Sequence, residues 1–387
     1  MTGPQRESTR SPKPVRASRP ARGTGAKAAG QSKPPPGRGA LSNRSGRFEP
    51  LQGQPVDDGW PAWRDDTDPG PLRTVVAPDA TRKVIAWNKS PDIPFDRSLN
   101  PYRGCEHGCV YCFARPTHAY LGLSAGLDFE SKLFAKHDGP ALLRQELARS
   151  GYRCAPIALG ANTDPYQPIE RRLRITRGLL QVLADCRHPV GIVTKSHGVL
   201  RDLDILRAMA ADNLASVAVS VTTLDPALAR AMEPRAPTPP ARLQAIAALA
   251  EAGIPVSVLA APMIPAVNDA ELEAILEAAS RHGATGAGYV LLRVPLEIEG
   301  LVGEWLDTHR PGLAKKVFAL LRQAHGGRAY KAAWGHRQRG AGPYADMLAA
   351  RFAVACRKYG LNRSWRPLET GLFRPPPRAE DRQLALF

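Results

Sequence analysis

The sequence predicts an α/β fold, a partial (β/α)6 barrel, and three observations carry that expectation. Short apolar runs alternate with helical patterns from Ala155 onward, the helical stretches close at glycines such as Gly253 and Gly283, and 387 residues with 43% hydrophobic content can bury a barrel-sized core. The apolar runs are at residues 156–161, 190–194, 216–221, 256–261 and 289–294. Their five or six residues suit strands covered on both faces. Between them helical periodicity covers 142–150, 171–185, 203–211, 240–252 and 270–282. One further strand leading into a cysteine-rich loop near Leu99 brings the count to about six βα units, too few to close an eightfold barrel. A doubly wound sheet is the alternative architecture.

Around this core the composition shifts. Residues 1–47 are rich in Arg, Pro, Gly, Ser and Ala without hydrophobic periodicity, which predicts a disordered basic arm. The expected order continues with an N-terminal extension (48–97), the barrel (98–295), a C-terminal helical region (296–373) with helices near 313–324 and 344–359, and a flexible tail (374–387). The net charge is +17, and the first fifty residues hold eleven Lys or Arg against two acids. That balance favours a polyanion such as nucleic acid as partner, without naming an activity. The N-terminus carries positive charge with no apolar region after it, and the most apolar stretch, 243–267, is broken by Glu251, Gly253, Pro255, Pro262 and Pro265, so neither a secretion signal nor a membrane span is expected. Six cysteines are too few for a disulfide scaffold, and three lie within eight residues, the pattern of a metal site in a reducing, cytoplasmic compartment. Cys154, Cys186 and Cys356 stand singly and are expected to be inert buried residues.

The cluster of three is Cys105, Cys109 and Cys112, spaced C-x3-C-x2-C in the loop NPYRGCEHGCVYCFAR. Three thiolates can converge on one [4Fe-4S] cube and leave its fourth iron open. A structural zinc ion, with His107 or His118 as fourth ligand, is the alternative, although neither histidine sits in a familiar zinc spacing. The spacing, with the aromatic Tyr111 before the last cysteine, resembles the signature of radical S-adenosylmethionine (SAM) enzymes. The resemblance implies that the open iron takes the amino and carboxylate groups of SAM. It further implies that an electron from a reductant protein cleaves the cofactor and that a 5′-deoxyadenosyl radical abstracts hydrogen from a substrate.

The same resemblance assigns SAM contacts to polar residues at the strand ends. Asn162, Thr163 and Asp164 after the second strand would meet the methionyl amine, with an Asx-capped turn before Pro165 as the other account. Thr194, Lys195 and Ser196 after the third suit the carboxylate, Lys195 above all, unless that lysine only reaches solvent. Ser220 and Thr222 match positions for the ribose hydroxyls, or are ordinary strand-end residues. Pro262, Met263 and Pro265 would wall the adenine or substrate pocket, and Asn268 or Asp269 would cap the next helix.

Taken together, NPYRGCEHGCVYC, ANTDPYQPIE, TKS and VSVTTLDPALARAMEPRAP resemble the spore photoproduct lyase-like, DNA repair photolyase-like branch over about residues 100–295. The lyase carries a cysteine hydrogen donor where Ala161 stands here, which argues against lesion reversal itself and leaves radical chemistry on nucleic acid as the broader expectation. The chain ends in Gln383, Leu384, Ala385, Leu386 and Phe387, which looks like the bacterial sliding-clamp-binding pentapeptide. Its apolar side chains on a charged tail call for a partner surface, or else pack on their own barrel. Rival readings are radical chemistry on a protein or small molecule, and a zinc-stabilised nucleic-acid-binding protein using the region of Trp60, Trp63 and Trp87.

Overall fold

A computed structural model of the chain describes residues 36–49, 72–364 and 366–377. Its strands, in chain order, are β1 (Val75–Pro78), β2 (Ile85–Trp87), β3 (Arg97–Leu99), β4 (Tyr102–Arg103), β5 (Lys132–Ala135), β6 (Ile157–Leu159), β7 (Val190–Thr194), β8 (Ala215–Ser220), β9 (Val256–Met263) and β10 (Gly286–Leu291). The larger sheet runs β10-β9-β8-β7-β6-β3-β2. Every pairing from β3 to β10 is parallel, and β2 adds antiparallel at the β3 edge. The order of the six parallel strands never reverses. A doubly wound sheet requires a reversal, so the monotonic order selects the open barrel. A second sheet, β1-β5-β4, holds the segments before and after the cysteine loop, and periodicity had not indicated it because its strands are two to four residues long.

The helices are α1 (Leu127–Ser131), α2 (Gly139–Leu147), α3 (Glu170–Leu173), α4 (Ile175–Asp185), α5 (Leu203–Ala211), α6 (Pro226–Met232), α7 (Pro239–Glu251), α8 (Leu272–Arg281), α9 (Glu297–His309), α10 (Ala314–Ala324) and α11 (Pro343–Tyr359). Those between the parallel strands bury one stripe on the sheet. In α8 Leu272, Ile275, Leu276 and Ala279 recur at helical spacing and are all fully buried. Facing side chains Val217, Val219, Val256 and Val258 are buried as well, and each such side chain contributes about 1.5–3 kcal/mol. The sequence had not indicated α9, whose Trp305 is nonetheless buried and donates through Nε1 to the Ala231 carbonyl at 2.9 Å. Among the described residues no helix is long and apolar enough to cross a membrane.

The exposed edge of β10 is covered rather than paired. Leu291 N–H donates to the Gln338 carbonyl at 2.8 Å, and Asn362 accepts from Ala287 N–H at 2.8 Å while donating to its carbonyl at 3.0 Å. Covering an edge in this way blocks pairing with another chain.

Residues 36–47 differ from the expected loose arm. Arg38 is buried, donating to the Glu130 carbonyl at 2.6 Å, and Gly39 and Ala40 donate their backbone N–H groups to the Glu130 carboxylate at 2.9 and 2.8 Å. Specific partners for these few groups, not periodicity, order the segment. The remainder of the arm (1–35), Trp60, Trp63 and the clamp-like tail with Gln383, Leu384, Leu386 and Phe387 lie outside the described residues. Arg374, expected to begin the tail, donates its backbone N–H to the Cys186 carbonyl at 2.8 Å.

At the barrel floor, opposite the cysteine loop, His188 is fully buried. Tyr152 lies 2.8 Å from its Nε2, the Pro189 carbonyl lies 3.0 Å from its Nδ1, and Phe373 packs edge-on at 5.3 Å. Burial pushes its pKa down to about 4 from an ordinary 6.5. The unfolded chain therefore binds this proton before the folded one, so the stability is intact above pH 6.5 and is lost as pH falls towards 4. Urea unfolding at pH 5 should show a loss of about 2 kcal/mol relative to pH 7.5 from this group. His188→Gln should remove that part of the pH dependence, and an unchanged slope would exclude His188 as its source.

Candidate active site at the cysteine loop

The loop between β4 and α1 has little regular structure, so its backbone groups need partners from elsewhere. The turn after β6 and the segment leading into the loop satisfy one another, and Gln167 reaches the loop itself. Asn100 Oδ1 accepts from Asn162 N at 2.8 Å, and Thr163 Oγ1 donates to the Tyr102 carbonyl at 2.8 Å. Gln167, fully buried, donates to the Gly104 carbonyl at 3.2 Å and accepts from Glu106 N at 2.8 Å. Tyr102 donates to Glu170. The motifs NPYRGCEHGC and ANTDPYQPIE are thus two halves of one clamp. Gly160 permits the turn: its φ is +89°, and an added Cβ would lie 2.4 Å from the Val193 carbonyl oxygen.

From other sides, Phe129 accepts from Cys105 N at 2.9 Å, Met232 accepts from Val110 N at 3.1 Å, and fully buried Arg115 donates to the Cys109 carbonyl at 2.8 Å and pairs with Glu130. Glu106 meets Arg235 at 3.0 Å and Thr74 at 2.8 Å. The segment at Gly39 crosses so closely that a Cβ there would lie 1.8 Å from the Gly108 carbonyl oxygen, a contact only glycine allows.

Cys105 and Cys109 are buried, Cys112 is partly so, and none forms a disulfide. Burial pushes the Cys109 thiol up to about 12, against the pull of Lys195, and raises Cys105 well above its ordinary value. Lys195 Nζ stands 3.4 Å from Cys109 Sγ, 3.0 Å from the Tyr111 hydroxyl and 3.0 Å from Glu233. Glu233 is fully buried and also meets Tyr111, Thr222 at 2.7 Å and Arg242. Burial raises the Glu233 carboxyl, while Arg242 draws it down. His107 Nδ1 is buried without a hydrogen-bond partner, 3.5 Å from Asp164, and burial lowers that imidazole to about 4.

The strand-end residues divide into two groups. Lys195, Tyr111 and Thr222 converge beside Cys109, so Lys195 does not simply reach solvent. Ser220 lies on the same strand end and donates to the Ala261 carbonyl at 3.1 Å. Thr163, Asp164, Thr194 and Ser196 are committed within the scaffold. Asp164 accepts from Tyr166 N at 2.9 Å, which is the Asx turn, and from Thr194 Oγ1 and Lys195 N at 2.7 and 2.8 Å. Ser196 accepts from Gly198 N at 3.1 Å as a helix cap. Asn162 is exposed at the mouth. Asn268 is not a helix cap: its side chain accepts from Ile264 N at 2.6 Å and donates to the Thr222 and Pro262 carbonyls at 2.7 and 2.9 Å. Met263, expected to wall a pocket, is fully buried in the core.

Glu233, Arg242 and Gln167 were missed from the sequence. Each lies far along the chain from the cysteines, and only the run EPRAP around Glu233 and the Gln in DPYQPIE hinted at them.

The donor set fits a cluster of net negative charge: unpaired buried thiols, a lysine against one sulfur and an orphaned imidazole nitrogen. Among the described residues no three of His, Cys, Asp and Glu gather to the spacing of a single ion, as a zinc site would require.

The family model described as the radical SAM superfamily matches residues 99–279, which span β3 through most of α8. An uncharacterized protein of Mycobacterium tuberculosis (strain H37Rv) is 36% identical over 334 residues, covering 82% of this chain and 92% of its own length. The chain belongs to the radical SAM superfamily. As such it is an enzyme, and its family implies a [4Fe-4S] cluster and SAM. An uncharacterized protein of Methanocaldococcus jannaschii is 28% identical over 173 residues, 45% of this chain and 62% of its own. Among solved structures a point mutant of spore photoproduct lyase has a TM-score of 0.52 at 16% identity, covering 74% of this chain and 80% of that one. A double mutant of the same lyase with bound AdoMet and dinucleoside spore photoproduct has a TM-score of 0.50, with 74% and 78% covered. These likenesses show that this radical SAM enzyme shares the lyase fold.

Removing the shared acceptor would leave Lys195 and Arg242 buried without a counter-charge. Glu233→Ala should cost about 3–5 kcal/mol in urea unfolding; a loss below 1 kcal/mol would mean that water replaces the carboxylate.

Proposed function

We propose that this radical SAM enzyme abstracts hydrogen from a nucleic-acid substrate. The observation that carries the chemistry is Lys195 against Cys109 Sγ, within a fully buried Glu233 network at the mouth of six parallel strands. Active sites in barrels of this kind lie at the C-terminal strand ends. Cys105, Cys109 and Cys112 would hold the cluster, and Lys195, Tyr111, Ser220 and Thr222 are placed to meet SAM. When bound, the pair supplies reductive cleavage of SAM to a 5′-deoxyadenosyl radical, with an electron from a reductant protein. The chain's own part is to orient and to exclude water. Lys195 offers a cation to a carboxylate, Glu233 fixes that cation and the Tyr111 hydroxyl, and the Gly39 segment covers the loop.

Charge supports the substrate class. Net charge is +17, and residues 308–345 hold eight Lys or Arg and no Asp or Glu. The thiol-free Ala161 at the β6 end offers no hydrogen donor to a thymine lesion, so modification or repair of another kind is the reading. Under anaerobic reduction, deuterium from a labelled oligonucleotide should appear in 5′-deoxyadenosine. Replacing any of Cys105, Cys109 or Cys112 by Ala should abolish both iron binding and SAM cleavage, and retention of both would refute the assignment. Turnover with label transfer only from peptides or small molecules would move the substrate to those classes.

The terminal Gln383, Leu384, Leu386 and Phe387 are proposed to bind a sliding clamp, placing the enzyme beside DNA. Deleting 383–387 should abolish clamp pull-down, and unchanged recovery would reject this partner.

A further inference from the structure

Between α10 and α11 the chain runs HGGRAYKAAWGHRQRGA, residues 325–341, without regular structure. Residues 335–338 fix its second half. Gln338 caps the C-terminal end of β10 through Leu291 N–H at 2.8 Å, and Asp92 accepts from Gly335 N at 2.7 Å and pairs with Arg337 at 2.6 Å. Gly335 and Arg337 reach the β2–β3 connection at the other edge of the sheet, while Gln338 anchors the loop at the C-terminal end of β10, the end at which the cysteine loop opens.

Arg293, two residues beyond β10, connects the two. Its guanidinium lies over the Phe113 ring at 4.7 Å, immediately after Cys112, and meets the Tyr330 hydroxyl at 3.2 Å. Its Nε is buried with no hydrogen-bond partner, and among the described residues no carboxylate pairs with it. Further out, Arg328, Lys331 and Arg339 are exposed, Arg339 stacking on Tyr289 at 5.1 Å. Trp334 is 60% exposed between them. Asp92 neutralises only Arg337, so the other cations face solvent in a stretch free of acids.

Ordered cations interleaved with an exposed indole have one well-matched ligand, a nucleic-acid strand with unstacked bases: phosphates meet the cations and a base stacks on the ring. The geometry points to loop 325–341 as the edge along which a single-stranded or locally opened nucleic acid enters, with Arg293 clamping the phosphate nearest the cluster. This placement rests on the nucleic-acid reading above. An acidic peptide would satisfy the cations but leave Trp334 without a stacking partner.

The test is fluorescence anisotropy of a labelled twelve-nucleotide single strand with the full chain, titrated over KCl. Against the wild type, Arg328→Gln/Lys331→Gln/Arg339→Gln should flatten the plot of log affinity against log salt by about 2, since each phosphate contact on a single strand contributes about 0.7. Trp334→Ala should weaken binding at least fivefold with the slope unchanged, the effect of losing one stacked base at about 1–3 kcal/mol. Circular dichroism melts serve as the control for folding, since all four side chains are exposed. A wild type that binds while neither variant differs from it would overturn this loop and leave the nucleic-acid reading standing. A wild type that binds no oligonucleotide at low salt would overturn both. Displacement of the oligonucleotide by polyglutamate at equal charge would reassign the loop to acidic peptides.

Discussion

Everything at the mouth depends on satisfying the backbone of a loop that has almost no secondary structure of its own. The cysteines must project from such a loop to reach one group, yet every amide left without water or a partner costs free energy. Neighbouring elements meet this demand from outside: Gln167 and Thr163 from the turn after β6, Phe129 from α1, Met232 from α6 and Arg115 from the loop's own continuation. Each anchor also fixes a direction for the loop backbone. Preorganisation of this kind is what a reactive site requires of its scaffold.

A second constraint is electrostatic. Arg115 with Glu130, and Glu233 with Arg242 and Lys195, are charged groups taken almost entirely out of water. Such pairs add little net stability, because desolvation cancels much of their attraction. Their value lies in geometry. Glu130 holds Arg115 beneath the Cys109 carbonyl and, by its other contacts, the backbone of Gly39 and Ala40 above the loop. Glu233 gathers Lys195, Tyr111 and Thr222 beside Cys109 Sγ.

The fold divides labour between scaffold and rim. The parallel strands bury apolar residues such as Val217, Val219, Val256 and Val258 on one face, carry smaller residues such as Gly191, Ser216 and Ser257 on the other, and position the mouth, while the segments following their C-terminal ends carry the chemistry and the charge. Spore photoproduct lyase shares this fold, yet fold likeness at 16% identity leaves the substrate to the rim, which is where basic and aromatic residues collect in this chain.

The strands from β6 to β10 and most of the helices between them were legible because burial imposes a period on consecutive residues, and β7 and α5 fall at the expected limits, whereas the short α6 was not indicated and β10 begins three residues before the expected run. The cysteine spacing was legible because its three residues are neighbours in the chain. β1, β4 and β5 were not, being too short to show any period, and the packed segment around Arg38 was hidden in a composition that reads as an arm. Asn162 to Asp164 illustrate the limit most clearly. The sequence placed polar groups at the right strand end, but whether they faced a ligand or held a turn depended on Asn100, Tyr102 and Thr194, at distances along the chain that no local pattern reports. Local order alone therefore determined the barrel and its three thiols. The burial of Glu233, the aim of Lys195 and the joining of Arg293 to Phe113 were decided by tertiary structure, because each requires residues from loops far apart in the chain to share one volume from which water is largely excluded.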